Sequence, residues 1–478
     1  MSLKKFLKEG NLWQEDCPGV PQTGIILARA FIKQNSHLGA KLQKRIAILV
    51  KNDYLWEITS IDEKKGIFEA LHKKGLPFLE KMILEWVAQM KKCESRFSRL
   101  ESMEEMPGRN LAEEYKKFLD DASDLWSYPI MCEGFDYFTT NEVIPLVSAK
   151  LNVNKNEARE IAIAMSRPGE KSYMEIERLS LLKISLLKSG FDIALEKHAK
   201  EYFWIRNNYL KSCVMGKVDF LAEVKEIRKM PREEVLKMAM SIESYEAGAE
   251  REKSEIIEKY CIGKELLALF RMLERASWWI DRRKAMMLRL FHYLFAMLDE
   301  AGRRGGYDEK LIRYAHPSEV YSILNGRKVQ NSLLEKRRQG FAYMLDADFN
   351  EEFIAGKEAN ELIGSYLGTL IGKEIKGITA SGKGTISGRA SIVLDIAKDR
   401  FRKGDILVTS MTRPEFLPLM RKAKAIVADE GGLTCHAAIV ARELRIPCII
   451  GTRTAVRNLK TGDNITMDLE TGRIRKDD

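Results

Sequence analysis

The stretch ADEGGLTCHAAIVARELRIPCIIGT, residues 428–452, changes its hydrophobic period twice. AIVAD, 425–429, has the apolar character of a strand ending at Asp429. CHAAIVAREL repeats at helical spacing, and PCIIGT returns to a strand. Between strand and helix, Gly431 and Gly432 permit positive φ and a close backbone approach. Thr434 is a suitable helix N-cap, and Ala438, Ile439, Val440 and Ala441 are expected to face inward. The reading places His436, one of six histidines, in the first turn of a helix behind a double glycine.

Working outward, β-like runs RASIVL (389–394), GDILVTS (404–410), KAIVADE (424–430) and DNITMDL (463–469) alternate with turns. They predict an α/β domain over 371–478. GKGTISG (382–388) offers a Gly-x-Gly spacing and Lys383 but lacks the full phosphate-loop pattern, so it reads as a turn between strands. Before this domain, 76–370 reads as a helical body, with helical patterns from about Glu69 to Leu345. Pro231 suits a first helical position, and the long amphipathic pattern 265–302 ends at Gly302. Residues 1–75 are mixed, with a short hairpin in KRIAILVKNDYLWEITSID (44–62) turning at Asn52 and Asp53. The expected fold is therefore multi-domain: a largely α-helical N-terminal and central body followed by a C-terminal α/β domain.

The chain has 478 residues, a net charge of +10 and seven cysteines. No Cys-x-x-Cys pair suggests a zinc site, and no metal ligand set is expected. The N-terminus lacks an apolar secretory core and no stretch reads as a membrane span, so a cytoplasmic home is expected. Residues 373–478 carry 20 Lys and Arg against 13 Asp and Glu. That excess suits phosphate-bearing partners. Aromatics are not interleaved with it, so nucleic acid is not an expected partner.

The free N–H groups at a helix start, with the helix dipole, favour an anion. Imidazole is a usable nucleophile near neutral pH. On the residues alone, His436 reads either as a phosphoryl-bearing ring or as a histidine satisfied in a turn.

GGLTCHAAIVARELRIPCIIGT closely resembles the phosphohistidine motif of the phosphoenolpyruvate (PEP)-utilising enzymes, the family of phosphoenolpyruvate synthase, pyruvate phosphate dikinase and rifampicin phosphotransferase. The resemblance extends over about 376–475, through ASGKGTISGRA, GDILVTSMTRPEFLPLM, AIVADEGG and TGDNITMDLETGRI. It implies that His436 accepts a phosphoryl group and passes it on, from a domain that swivels between two active sites. It also implies a phosphate loop and helix N-terminus at Gly431, Gly432, Thr434 and Cys435. Thr434 matches a regulatory phosphorylation target of some members, and Thr412 and Glu415 match a shaping loop. Arg442 is a further supporting candidate. Cys435 reads as a small buried filler.

The first 370 residues contain no recognisable ATP-grasp segment, the nucleotide domain of the family's longer members, and the family's PEP and pyruvate barrel is not found either. Both donor and acceptor sites are needed for transfer. The expectation is therefore a phosphotransferase component whose His436 is charged by a separate ATP-grasp-type or other phosphoryl-donor protein. Mg²⁺ and ATP or PEP would sit on that partner, with no cofactor held by a motif of this chain. An unknown small-molecule acceptor would be held by the helical body. The alternative is a non-catalytic phospho-carrier or regulatory interaction protein. Tyr202, Phe203, Trp204, Trp278 and Trp279 read as helix core, with an acceptor pocket as the second reading. His316, before a proline, reads as a helix cap.

Overall fold

The computed structural model describes residues 2–133, 135–369, 374–394, 396, 399–412, 416–432 and 435–477. Of Ser98, Asp136, Tyr137, Thr140, His436 and Glu443 it describes the backbone alone. Contacts divide the chain into two units: 1–6, 18–133 and 164–360 form one, and 7–17, 134–163 and 361–478 the other.

The first unit is mainly helical. Its two long helices, Ile61–Leu100 and Lys264–Gly305, meet through Glu80–Arg275, Trp86–Trp279, Glu94–Arg289 and Phe97–Tyr293. The partners ascend together in both helices, so the two run parallel. Gly75 breaks the first helix at φ 72°, two residues before Pro77, which cannot complete the helical hydrogen bonding. Strands Arg45–Lys51 and Tyr54–Ser60 pair antiparallel around Asn52 and Asp53, both at positive φ.

The structure departs from the sequence reading at three points. Helical structure does not continue to Leu345, because Phe341–Asp346 is a strand between Arg45–Lys51 and Glu351–Ala355. Residues 46–50 and 341–345 are all buried, so both strands read as continuous apolar runs, which periodicity alone does not separate from buried helix. Pro231 is the N-cap of Arg232–Glu243 and precedes the first helical position. The long amphipathic helix runs on to Gly305, with Gly306 at φ 74° as its C-cap. His316 caps Pro317–Leu324, its ring accepting from the Ser318 N–H.

The second unit is built on an eight-stranded sheet. Four neighbouring strands, Thr385–Ile392, Ile406–Thr409, Ala425–Ala428 and Cys448–Ile450, are parallel. Antiparallel strands Asn464–Asp468 and Ile378–Ser381 flank them. Both faces of the three strands 406–409, 425–428 and 448–450 are buried. Ile406, Val408, Ala425, Val427 and Ile449 pack on one side with Ala455 and Leu459. Leu407, Ile426, Ala428, Cys448 and Ile450 pack on the other with Ala437, Ala438, Val440 and Ala441. This is why the strands read as short apolar runs instead of polar–apolar alternation.

Candidate functional site

Parallel strands end on the same sheet edge, where ligands of open α/β sheets commonly bind. Three loops leave that edge: from Ser410, from Asp429 and from Gly451. Backbone bonds join them side by side. Glu430 N–H donates to Ser410 O at 2.8 Å, Thr452 N–H to Ala428 O at 3.2 Å and Arg453 N–H to Asp429 O at 3.1 Å.

The middle loop leads to the helix His436–Glu443. His436 is therefore its first residue, where backbone N–H groups have no partner one turn back. The N-cap is Cys435, extended at φ −69° and ψ 162°, and its side chain makes no capping hydrogen bond. The sequence put the cap one residue earlier. Thr434 lies outside the described residues, as does Glu415, and of His436 the backbone alone is placed.

Gly431 has φ 102°, a conformation L side chains rarely adopt. A β-carbon there would lie 2.6 Å from Cys435 Sγ, and one on Gly451 would lie 3.1 Å from Gly431 O. Gly431 is exposed and Gly432 buried. Both glycines belong to the loop that delivers the chain to His436. Thr412 is buried on the first of the three loops. Arg442 lies in the last turn of the helix, six residues past His436 and so about 9 Å further along the axis. The structure therefore does not bring it to the helix start. Ile439, expected inward, is 37% exposed, whereas Ala437 is buried in its place.

Asp429, which ends the middle strand, is 3% exposed. It accepts from Thr452 Oγ1 at 2.5 Å, Ala455 N–H at 2.7 Å and Val456 N–H at 3.1 Å. Burial pushes its carboxyl upward, and those hydrogen bonds with the Arg457 charge oppose the push. Its role is to fix the third loop and the short helix Ala455–Asn458 against the second.

That third loop carries two arginines the sequence reading did not single out. The Arg453 guanidinium lies over the Trp13 ring at 3.7 Å from its centroid, and Arg457 pairs with the buried Asp16 at 3.3 Å. The spacing of Arg453 and Arg457, four apart after a parallel strand, was a usable signal. Nothing local to Trp13 announced its partner. At the other edge, Gly384 N–H of the GKG turn donates to Glu470, and Lys383 faces Glu160 at 3.9 Å. The turn thus engages carboxylates.

The helical unit holds a cleft of about 1000 Å³ whose lining includes Phe203, Met215, His292 and Tyr293. Of the aromatic candidates, Tyr202, Trp204 and Trp279 are core residues, and Phe203 reaches the cleft. Among the described residues, no three His, Cys, Asp or Glu converge as a metal site, and no helix is long and apolar enough to cross a membrane.

Residues 401–472 match the family model of the PEP-utilising enzyme, mobile domain. Phosphoenolpyruvate synthase of Pyrococcus furiosus is 50% identical over 103 residues, 21% of this chain and 12% of that protein. That of Aeropyrum pernix is 50% identical over 96 residues, 20% of this chain and 12% of that protein. The probable phosphoenolpyruvate synthase of Methanothermobacter thermautotrophicus is 48% identical over 101 residues, 21% and 15% of the two chains. The chain thus spans about an eighth of the length of the first two relatives. A solved structure, holo aconitase X of Thermococcus kodakaraensis, aligns with 22% of this chain and all of that chain at 18% identity, with a TM-score of 0.19.

Proposed function

We propose that this chain is a phosphotransferase component that carries a phosphoryl group on His436. The observation behind this reading is the position of that residue: first in its helix, behind Gly431 and Gly432, inside the segment matching the mobile domain. A helix start offers backbone N–H groups and a partial positive charge to a phosphoryl group. The donor is a separate protein holding ATP or PEP with Mg²⁺, and the acceptor binds the helical unit. The proposed place of this work is the cytoplasm.

The chemistry is two in-line transfers, onto the imidazole and off it. Each needs the phosphoryl charge offset and the reacting atoms aligned. The alternative, a phospho-carrier that only docks a partner, is disfavoured by the cleft, since a solid helical unit would hold no small acceptor. The test is to purify the full chain with its associated proteins and add ATP or PEP. Phosphate that is acid-labile and maps to His436 supports the reading. A stoichiometric partner, with no label from either donor, argues for the docking alternative.

A further inference from the structure

His292 lines the cleft and stands at the end of a chain of hydrogen bonds. The Asn207 amide nitrogen donates to Leu288 O at 2.9 Å, which turns its Oδ1 toward the Cys213 N–H at 2.6 Å and the Ser212 hydroxyl at 3.2 Å. Oδ1 can only accept, so the Ser212 hydroxyl donates to it. Ser212 Oγ also lies 3.1 Å from His292 Nδ1. With its proton committed, that oxygen accepts, and Nδ1 carries the ring's N–H. The lone pair is then on Nε2. Among the described residues Nε2 has no hydrogen-bond partner, and the ring is half-buried. Burial also holds the imidazole below its ordinary pKa of 6.5.

The cleft that His292 lines has a defined character. Phe203 and Tyr293 meet the His292 ring edge-on, each at 4.9 Å between centroids. Each cation of the lining is already paired: Lys200 with Glu196, Lys217 with Asp192, Arg303 with Glu300. Glu101 and Glu104 line the same cleft and make no ion pair among the described residues. The wall carries aromatic rings, and its five carboxylates outnumber its three cations, which favours an aromatic ligand bearing a cation.

We propose that the cleft binds a cationic, hydroxyl-bearing aromatic molecule as the phosphoryl acceptor and that His292 Nε2 is the base that takes its hydroxyl proton. This rests on the phosphoryl-carrier reading of His436. In the step, the acceptor O–H bond breaks and its proton passes to Nε2. The oxygen forms a bond to phosphorus as the P–N bond to His436 breaks. That bond's electron pair returns to the His436 ring, which is reprotonated from solvent, and His292 then releases its proton. Ser212 and Asn207 are positioning residues.

The test uses the full chain with ¹⁵N-labelled histidine, unphosphorylated, so its outcome is independent of whether His436 can be charged. Long-range ¹H–¹⁵N correlation at neutral pH should show His292 as the Nδ1–H tautomer. Ser212→Ala should mix the tautomers, and Ser212→Thr should restore the preference. Titration with tyramine should shift Nε2 at millimolar concentrations or below, with 4-hydroxyphenylacetate at least tenfold weaker. A preformed Nε2–H tautomer, no response to tyramine, or equal response to both probes overturns the proposal. In preparations where His436 carries phosphate, His292→Gln should slow phosphoryl transfer to tyramine by roughly 100-fold without changing the phosphohistidine formed. An unchanged transfer rate overturns the role of His292 as base.

Discussion

Gly431 and Cys435 are packed so closely that a β-carbon on the glycine would stand 2.6 Å from the cysteine sulfur and 2.8 Å from its Cβ. Cys435 caps the helix that begins with His436, so the glycine determines how that helix starts. Its φ of 102° adds a conformational demand to the steric one. Gly431→Ala should therefore cost roughly 1–3 kcal/mol in backbone strain alone. It should also lower phosphohistidine yield by displacing Cys435. Urea unfolding reads the first effect and acid-labile phosphate on the chain the second, and a variant as stable and as readily phosphorylated as the parent contradicts this reading of the loop.

The stack of Arg453 on Trp13 ties the third loop to residues 7–17. A planar guanidinium stacks where an ammonium does not. Arg453→Lys should keep the charge yet lose about 0.5–1 kcal/mol, and Arg453→Ala should lose more. The measurement is amide exchange of 448–458 and 12–17 together. Faster exchange in one segment without the other would show that the pair does not couple them.

Asp281 gives a pH dependence with a definite sign. Burial pushes its carboxyl up to about 6 from an ordinary 3.8, against the Tyr173 N–H it accepts at 3.0 Å and the charges of Arg282 and Lys284. A folded-state pKa above the unfolded one gives stability that is full below about 3.8 and lost as pH rises through about 6. Asp281→Asn should therefore melt higher than the parent at pH 8, with a gain on the order of 2–3 kcal/mol at most. The gap should close below pH 4. A gap of the same size at both pH values would assign the effect to packing.

The strand–turn–helix–strand order of 425–452 was legible because each part carried local signals: apolar runs, a double glycine, and a change to helical spacing. The hairpin at 45–60 was legible for the same reason, through Asn52 and Asp53. Phe341–Asp346 was not, because a strand buried on both faces has no alternation to read. The parts of the site that came from afar were also hidden. Trp13 meets Arg453 and Asn156 donates to Glu470, pairings set by tertiary packing that no local period encodes. His292 carried no motif. The hydrogen-bond chain through Asn207 and Ser212 reaches it only in the folded unit.

Phosphate on His436 can be looked for directly. The full chain, isolated with its partner proteins, is incubated with ATP or PEP labelled in the transferable phosphoryl group, beside the same preparation of His436→Ala. The account predicts one acid-labile, base-stable phosphate per parent chain, located at His436, and none on the variant. Equal labelling of parent and variant, or acid-stable phosphate confined to serine and threonine, would contradict it.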